Sequence, residues 1–431
     1  MSWPVTLAMA GTGSRGRTYA GYAERFPDRA RLVAVADPRA AGRDRMAERH
    51  DINDAHRFAD WRELTERPRL ADAVVIATPD LEHAEAASSL ARLGYHVLLE
   101  KPMAPSAAAC AGLVEAAETS DVVFAVCHVL RYTAYTRKVR EVIESGRLGD
   151  VVGIDHLEPV GWWHFAHSYV RGNWRQTALS GPSILTKCCH DLDWLRHLAG
   201  RPAQRVSSVG GLHHFTPANR PAGAGERCGD CAVEPDCPYS AQRLYLGFLK
   251  DPSRHRWPLP IVTPDLTEEG VRQALRAGPY GRCVYASDND VADHQVTTIE
   301  FDGGLVATLT MSAFTPMARR MTRIMGTHGY LDGDGGQVTV TDFATGRTER
   351  AEVSAETDDE SASGGHDGGD YGVMKAFTHA VATGDTSQIR STPRESLESH
   401  LMAFAAEDSR ASGGHPVAIK LPGQRVGSAF G

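Results

Sequence analysis

The first residues with a chemical reading are Gly11-Thr12-Gly13-Ser14-Arg15-Gly16. Glycines at this spacing let the backbone approach a pyrophosphate, and a helix starting at the loop turns its first N–H groups toward the negative charge. Asp37 follows about 20 residues later, where a carboxylate accepts hydrogen bonds from the adenosine ribose hydroxyls. It also repels a 2'-phosphate, which favours NAD over NADP. Arg39 tempers that preference, because a guanidinium can hold a phosphate.

A second group is Cys228-Gly229-Asp230-Cys231 followed by Cys237, with Cys283 downstream. Three closely spaced thiols fit a structural zinc knuckle, with Cys283, or His213 or His214, as fourth ligand. Free thiols are the competing reading, since the paired C-x2-C signature occurs only once. A third group runs from Gly161 to Arg175, where Trp163, His164, Arg171, Trp174 and Arg175 mix flat rings with hydrogen-bonding heads. Such rings pack on the C–H faces of a pyranose while the heads bond its hydroxyls. Core packing is the plain alternative for some of the tryptophans.

These groups need a scaffold. Apolar runs at Val5–Ala10, Leu32–Ala36, Ala73–Ala77, His96–Leu99 and Val122–Val126 alternate with helical spacing, the pattern of a parallel sheet covered on both faces. His128, Arg131 and Tyr132 lie just beyond the last run, at a strand's carboxyl end, where open α/β sheets bind ligands. Tyr132 is therefore a candidate acid or base. Beyond about residue 150 the pattern changes. Two alternating runs flank Asp302-Gly303-Gly304 as a hairpin, and Val151–Leu157, Val206–Leu212 and Gln337–Thr341 read as further strands of an open, mainly antiparallel sheet. The Asp/Ser/Gly-rich stretch 358–370 reads as a loop. Val373–Ala382 and Leu397–Ser409 read as helices, the C-terminal part packing back on the first domain. The division is 1–128, an α/β dinucleotide-binding domain, and 129–431, an α+β substrate domain.

With 42% hydrophobic and 23% charged residues the 431-residue chain supports two cores. A net charge of -8 argues against a nucleic-acid partner. No apolar run reaches bilayer length, so no membrane span and a cytoplasmic location are expected.

The chain resembles the Gfo/Idh/MocA oxidoreductase family through the Gly11–Gly16 loop, Asp37, Ala77-Thr78-Pro79 with His83, Glu100-Lys101-Pro102, and Cys189-His190-Asp191-Leu192-Asp193. The resemblance implies a Rossmann domain joined to an open-sheet domain, NAD as cofactor, a sugar-like substrate and a homo-oligomer. It also places Ser14, Arg15, Thr78, Pro79, His83 and Glu100 at the cofactor. Lys101 is implied beside the nicotinamide and the reacting hydroxyl, with His190 facing the substrate as the second proton-handling group. The sequence departs from the family at one position. Many members carry an aspartate four residues before the histidine, where this chain has Thr186, followed by Lys187. Lys187 and the arginines suggest an anionic group on the substrate, such as a sulfonate or carboxylate.

The leading reading is hydride transfer at a secondary hydroxyl of a pyranose. A redox-neutral glycosidase working by transient C3 oxidation, elimination, hydration and re-reduction, for instance on a sulfoquinovoside, needs nearly the same residues. A non-catalytic NAD sensor is the reading from another class.

Overall fold

The computed structural model describes residues 3–353 and 366–421. The apolar runs of the N-terminal part form β1 (Val5–Ala10), β2 (Ala30–Ala36), β3 (Arg57–Phe58), β4 (Ala73–Ile76), β5 (His96–Leu99) and β6 (Phe124–Val126). They make one parallel sheet in the order β3-β2-β1-β4-β5-β6. Residues of β4 are buried on both faces, as a doubly covered strand requires. The two-residue edge strand β3 was too short to stand out by periodicity.

The second sheet has nine strands: β7 (Val151–Pro159), β8 (Ala203–Gly211), β9 (His294–Phe301), β10 (Val306–Ser312), β11 (Met321–Gly326), β12 (Gly329–Gly333), β13 (Gln337–Asp342), β14 (Thr348–Glu352) and β15 (Val417–Ala418). Their order is β14-β13-β12-β11-β7-β10-β9-β8-β15, antiparallel except where β10 runs parallel to β7. The hairpin expected around Asp302-Gly303-Gly304 joins β9 to β10, with both glycines at positive φ. Ala307, Leu309 and Met311 of β10 point into the core, while Val306, Thr308 and Thr310 face away. The covered face packs against the helices Cys189–Ala199 and Pro393–Ala411.

The C-terminal helices divide their packing. Gly369–Thr383 joins the core of the parallel sheet through Val373, Met374 and Phe377. Pro393–Ala411, capped by a Thr392/Glu395 box, touches both the helix Ala107–Thr119 and Cys189–Ala199. Most of the Asp/Ser/Gly-rich stretch lies outside the described residues.

Between β8 and β9 the chain inserts a lobe with its own small core of Tyr245, Leu259, Val271, Leu275 and Tyr280. Among the described residues no helix is long and apolar enough to cross a membrane.

Candidate active site at the domain junction

The glycine loop has the shape a dinucleotide requires. Gly11 sits at φ +98, and a Cβ there would lie 2.3 Å from the Ala77 carbonyl oxygen; one on Gly16 would lie 2.0 Å from the Gly11 oxygen. A Cβ on Gly13 would meet only the Arg39 guanidinium, at 3.8 Å, so the space above it is open. The helix Ser14–Arg25 begins there with no side-chain cap, which leaves its first N–H groups for a ligand. The buried Thr78 hydroxyl beside the loop has no partner in the described structure. These features fit a bound NAD.

Asp37 differs from expectation. It is 2% exposed, and its carboxylate accepts from the Thr12 N–H (2.7 Å) and hydroxyl (2.8 Å) and from Arg39. Burial opposes ionisation, but the hydrogen bonds from Arg39 and Thr12 bring its pKa down to about 2. Asp37 therefore ties the glycine loop to Arg39. A ribose could share the carboxylate if the exposed Arg39 side chain turned aside.

Three of the residues expected at the cofactor hold its loops together. Glu100, 4% exposed, accepts from Arg15 Nε (2.5 Å), the Tyr19 hydroxyl (2.6 Å) and the Lys101 N–H (2.9 Å). Arg15 is committed to Glu100 and Asp370. His83 is buried, with Nδ1 2.7 Å from the Pro102 oxygen and Nε2 3.0 Å from the Thr78 oxygen, so it bridges the Thr78-Pro79 and Lys101-Pro102 turns.

Lys101 leaves the carboxyl end of β5, and its Nζ donates to the Thr186 carbonyl at 3.2 Å across the junction. That carbonyl is free because the chain from Ser183 through His190 does not form one continuous helix. One turn, Ser183–Thr186, ends at Lys187, and a new helix starts at Cys189, with Asp191 and Leu192 bonding back to Cys188 rather than extending the first turn. His190 thus sits in the first turn of the second helix. It is 4% exposed and its Nδ1 has no partner among the described residues. Burial, aided by the positive field of Lys101, pushes its imidazole well below the ordinary histidine value, which favours the neutral ring. The Thr186 hydroxyl bonds back to Pro182, and its side chain supplies no carboxylate.

Several other expected site residues are structural. The Tyr132 hydroxyl is 3.0 Å from Ser391 Oγ and accepts from the Arg390 N–H at 2.8 Å, so its bonds are made to the segment before the last helix; burial pushes its phenol up. Arg131 is 2% exposed and clamps Asp193 through Nε (2.7 Å) and Nη2 (2.8 Å). Arg171, equally buried, donates to the carbonyls of Arg282 and Tyr239, and Arg175 pairs with Asp288 at 2.8 Å. Lys187 pairs with Glu158 (3.1 Å), which also holds Arg320 (2.8 Å). Every cation offered for an anionic substrate group is already neutralised or bonded, so the anion pocket is withdrawn. Trp163 packs on Phe248 (4.9 Å) and Trp257 (5.2 Å) of the inserted lobe. The His164 ring also meets Trp257, at 4.8 Å, and burial, with Lys187 adding to the effect, pushes its imidazole well below the ordinary histidine value. His128 is fully buried and both ring nitrogens lack hydrogen bonds.

The four cysteines Cys228, Cys231, Cys237 and Cys283 do line one cavity, of about 20 Å³. Among the described residues, however, no three His, Cys, Asp or Glu side chains are arranged to hold a metal ion. Cys228 Sγ instead accepts from the Ala241 N–H (3.4 Å) and Arg171 Nη2 (3.8 Å). A buried guanidinium in that position opposes a dication. The zinc expectation is corrected accordingly.

Two groups were missed. Asp80, next to Thr78-Pro79, accepts from Trp174 Nε1 at 2.9 Å across the junction; burial raises its pKa against the pull of His83 and Lys101. Its place beside the Thr-Pro turn was a usable signal. His366 stands with its ring centroid 5.6 Å from that of His190. Nothing in its sequence neighbourhood announced this.

The fold and the glycine cradle define a dinucleotide-binding α/β protein with a second, open-sheet domain across its cofactor edge. Residues 5–128 match the NAD-binding Rossmann fold of the Gfo/Idh/MocA oxidoreductase family, and residues 140–419 match that family's C-terminal alpha/beta domain. The chain belongs to this family. It is 29% identical over 150 residues to 2,7-anhydro-N-acetylneuraminate hydratase of Escherichia coli (35% of this chain, 39% of that protein). It is 27% identical over 172 residues to levoglucosan dehydrogenase of Pseudarthrobacter phenanthrenivorans (39% and 42%). Alignments with the curated relatives span 39% to 60% of those proteins' own lengths. In fold, the chain matches an oxidoreductase from Agrobacterium radiobacter crystallised with NAD+, L-tartaric acid and magnesium, with TM-score 0.70 and 16% identity over 96% of this chain and 98% of that one.

Proposed function

We propose that the protein is an NAD-dependent enzyme that moves hydride between the nicotinamide and a secondary hydroxyl of a pyranose or related polyol. The observation that carries this reading is the meeting of Lys101, from the parallel sheet, with the Thr186 turn that leads into His190. Bound NAD would supply the hydride acceptor. Lys101 would hydrogen-bond the reacting hydroxyl, and neutral His190 would take or return its proton. The names of relatives that act on anhydro-sugars support the substrate class.

A redox-neutral variant remains the second reading, favoured by one observation: a relative named as a hydratase. Tyr132 no longer supports it, and the paired cations lend no support to a sulfonated or carboxylated sugar. The joint presence of Lys101 and His190 at the junction argues against a silent sensor.

The test is a panel of sugars, polyols and glycosides with NAD, followed by NADH absorbance and product analysis. NADH formed in step with ketone supports the first reading. Product without net NADH, carrying solvent deuterium beside the oxidised carbon, supports the second. No turnover and no product with any member would reject both.

A further inference from the structure

Oxidising a secondary alcohol breaks its C–H bond, whose electron pair leaves as hydride to NAD, and its O–H bond, whose proton must reach water. His190, the proposed acceptor of that proton, is itself almost fully enclosed. Among the described residues, the groups around His190 differ in whether they can pass a proton on. Toward the interior, the His128 ring is 6.0 Å away, fully buried and without a hydrogen-bond partner. Beyond it, His400 lies 5.7 Å further on, but Nδ1 donates to the Ser396 oxygen (2.6 Å) and Nε2 accepts from the Met103 N–H (2.9 Å). That side is a dead end. Lys101 is fixed on the Thr186 carbonyl, and Arg320 is held by Glu158 and Asp191. Thr186 has no carboxylate to offer.

On the outer side stands His366, at the foot of the helix Gly369–Thr383, with a ring 5.6 Å from His190 and a side chain 22% exposed. Its Nδ1 faces Asp370 Oδ2 at 3.3 Å and Arg15 Nη1 at 3.4 Å. Arginine can only donate and an ionised carboxylate only accept, so Nδ1 keeps a partner whether or not it carries the proton, and the ring stays oriented in either tautomer. Asp370 stays ionised: burial opposes it, but Arg15 and His366 hold its carboxyl well below the usual range.

We infer that His366, oriented by Asp370, is the relay that carries the proton between His190 and solvent, in place of the side-chain carboxylate absent at Thr186. The inference rests on the proposed oxidoreductase reading. Nε2 of His366 takes the proton from His190, directly or through one water, and passes it to bulk water; no bond to carbon changes in this step. His366 acts through His190 and is a positioning and relay residue, not a catalytic one.

The experiment compares parent protein with His366→Ala and His366→Asn in the presence of NAD. Exchange of the His190 imidazole proton with water is read by nitrogen NMR, and turnover is read on the best member of the sugar panel. Exchange should slow at least about tenfold in both variants, and turnover should fall by about 10- to 100-fold with a larger solvent isotope effect. Added imidazole should restore part of each in His366→Ala, while NAD affinity and thermal midpoint stay at parent values. Unchanged exchange, or a loss that imidazole does not rescue, overturns the relay. A parent inactive on the whole panel would sink the oxidoreductase reading, while the exchange measurement still decides the relay.

Discussion

The glycine-loop edge of the parallel sheet and the aromatic segment around Trp163 to Arg175 both carried dense chemical signals, yet they fared differently. At the loop the work belongs to backbone: glycines that permit close approach, uncapped N–H groups, turns in fixed chain order. Backbone roles travel with sequence position, so the motif located them. In the aromatic segment the work belongs to side chains whose partners lie far along the chain, such as Arg171 on the Tyr239 and Arg282 carbonyls. Composition showed the capacity to bind, and distant partners had already used it.

The sharpest way to break this contrast is Lys101→Ala. Turnover should fall by about 10² to 10⁴-fold, with NAD affinity in calorimetry unchanged. Near-parent turnover would remove the site from the junction. Asp193→Ala tests the opposite class, since it strands the buried Arg131 guanidinium. Loss of such a partner costs about 3–5 kcal/mol, so the thermal midpoint should drop steeply. A stable variant with altered sugar KM would return Arg131 to the substrate.

Acid should loosen the helices behind the second sheet before the parallel sheet. Burial pulls His167, His197 and His400 to about 3, below the unfolded value of about 6.5. Between those limits the unfolded chain binds more protons, so stability falls as pH falls through that window. Thermal unfolding at pH 7.5 and pH 5 reads this, with amide exchange expected to rise in 189–199 before β1 and β4. An unchanged midpoint would mean that these rings are not buried neutral.

Arg39→Ala should free the Asp37 carboxylate for ribose and widen the preference for NAD over NADP by about tenfold, the scale of one charge-assisted contact. A narrowed preference would show that Arg39 was not the phosphate-tolerant element. Smallest of all, Lys187→Met should change kcat/KM on neutral sugars by less than about fivefold, about 1 kcal/mol, because Arg320 keeps the Glu158 carboxylate paired when the ammonium is gone. A collapse specific to anionic sugars would revive the anion pocket.

The two-sheet architecture was legible because strand periodicity changes from continuous apolar runs, as in Ala73–Ile76, to strict alternation, as in Val306–Ser312. Lys101 and His190 were legible through family motifs. The break at Lys187–Cys188 was not, since Ser183 to His190 carries no proline or glycine to stop a helix. Asp193 and Glu158 are ordinary carboxylates in sequence, and only their burial beside Arg131 and Lys187 shows what they cancel. The cysteine cluster had convincing spacing, but spacing says nothing of the arginine that comes to sit beside it.

The broken helix has a consequence for anyone dissecting this protein. The grip on the Lys101 ammonium is a main-chain carbonyl, so exchanging the side chain at position 186 leaves the acceptor in place. A conventional alanine scan would pass over it in silence. What would move it is a change of helical phase: residues around Lys187 and Cys188 that favour one unbroken helix would turn the carbonyl to the His190 N–H and leave the lysine without its anchor. The position therefore writes its importance in conformation rather than in residue identity, and comparisons of aligned letters alone will score it as unremarkable.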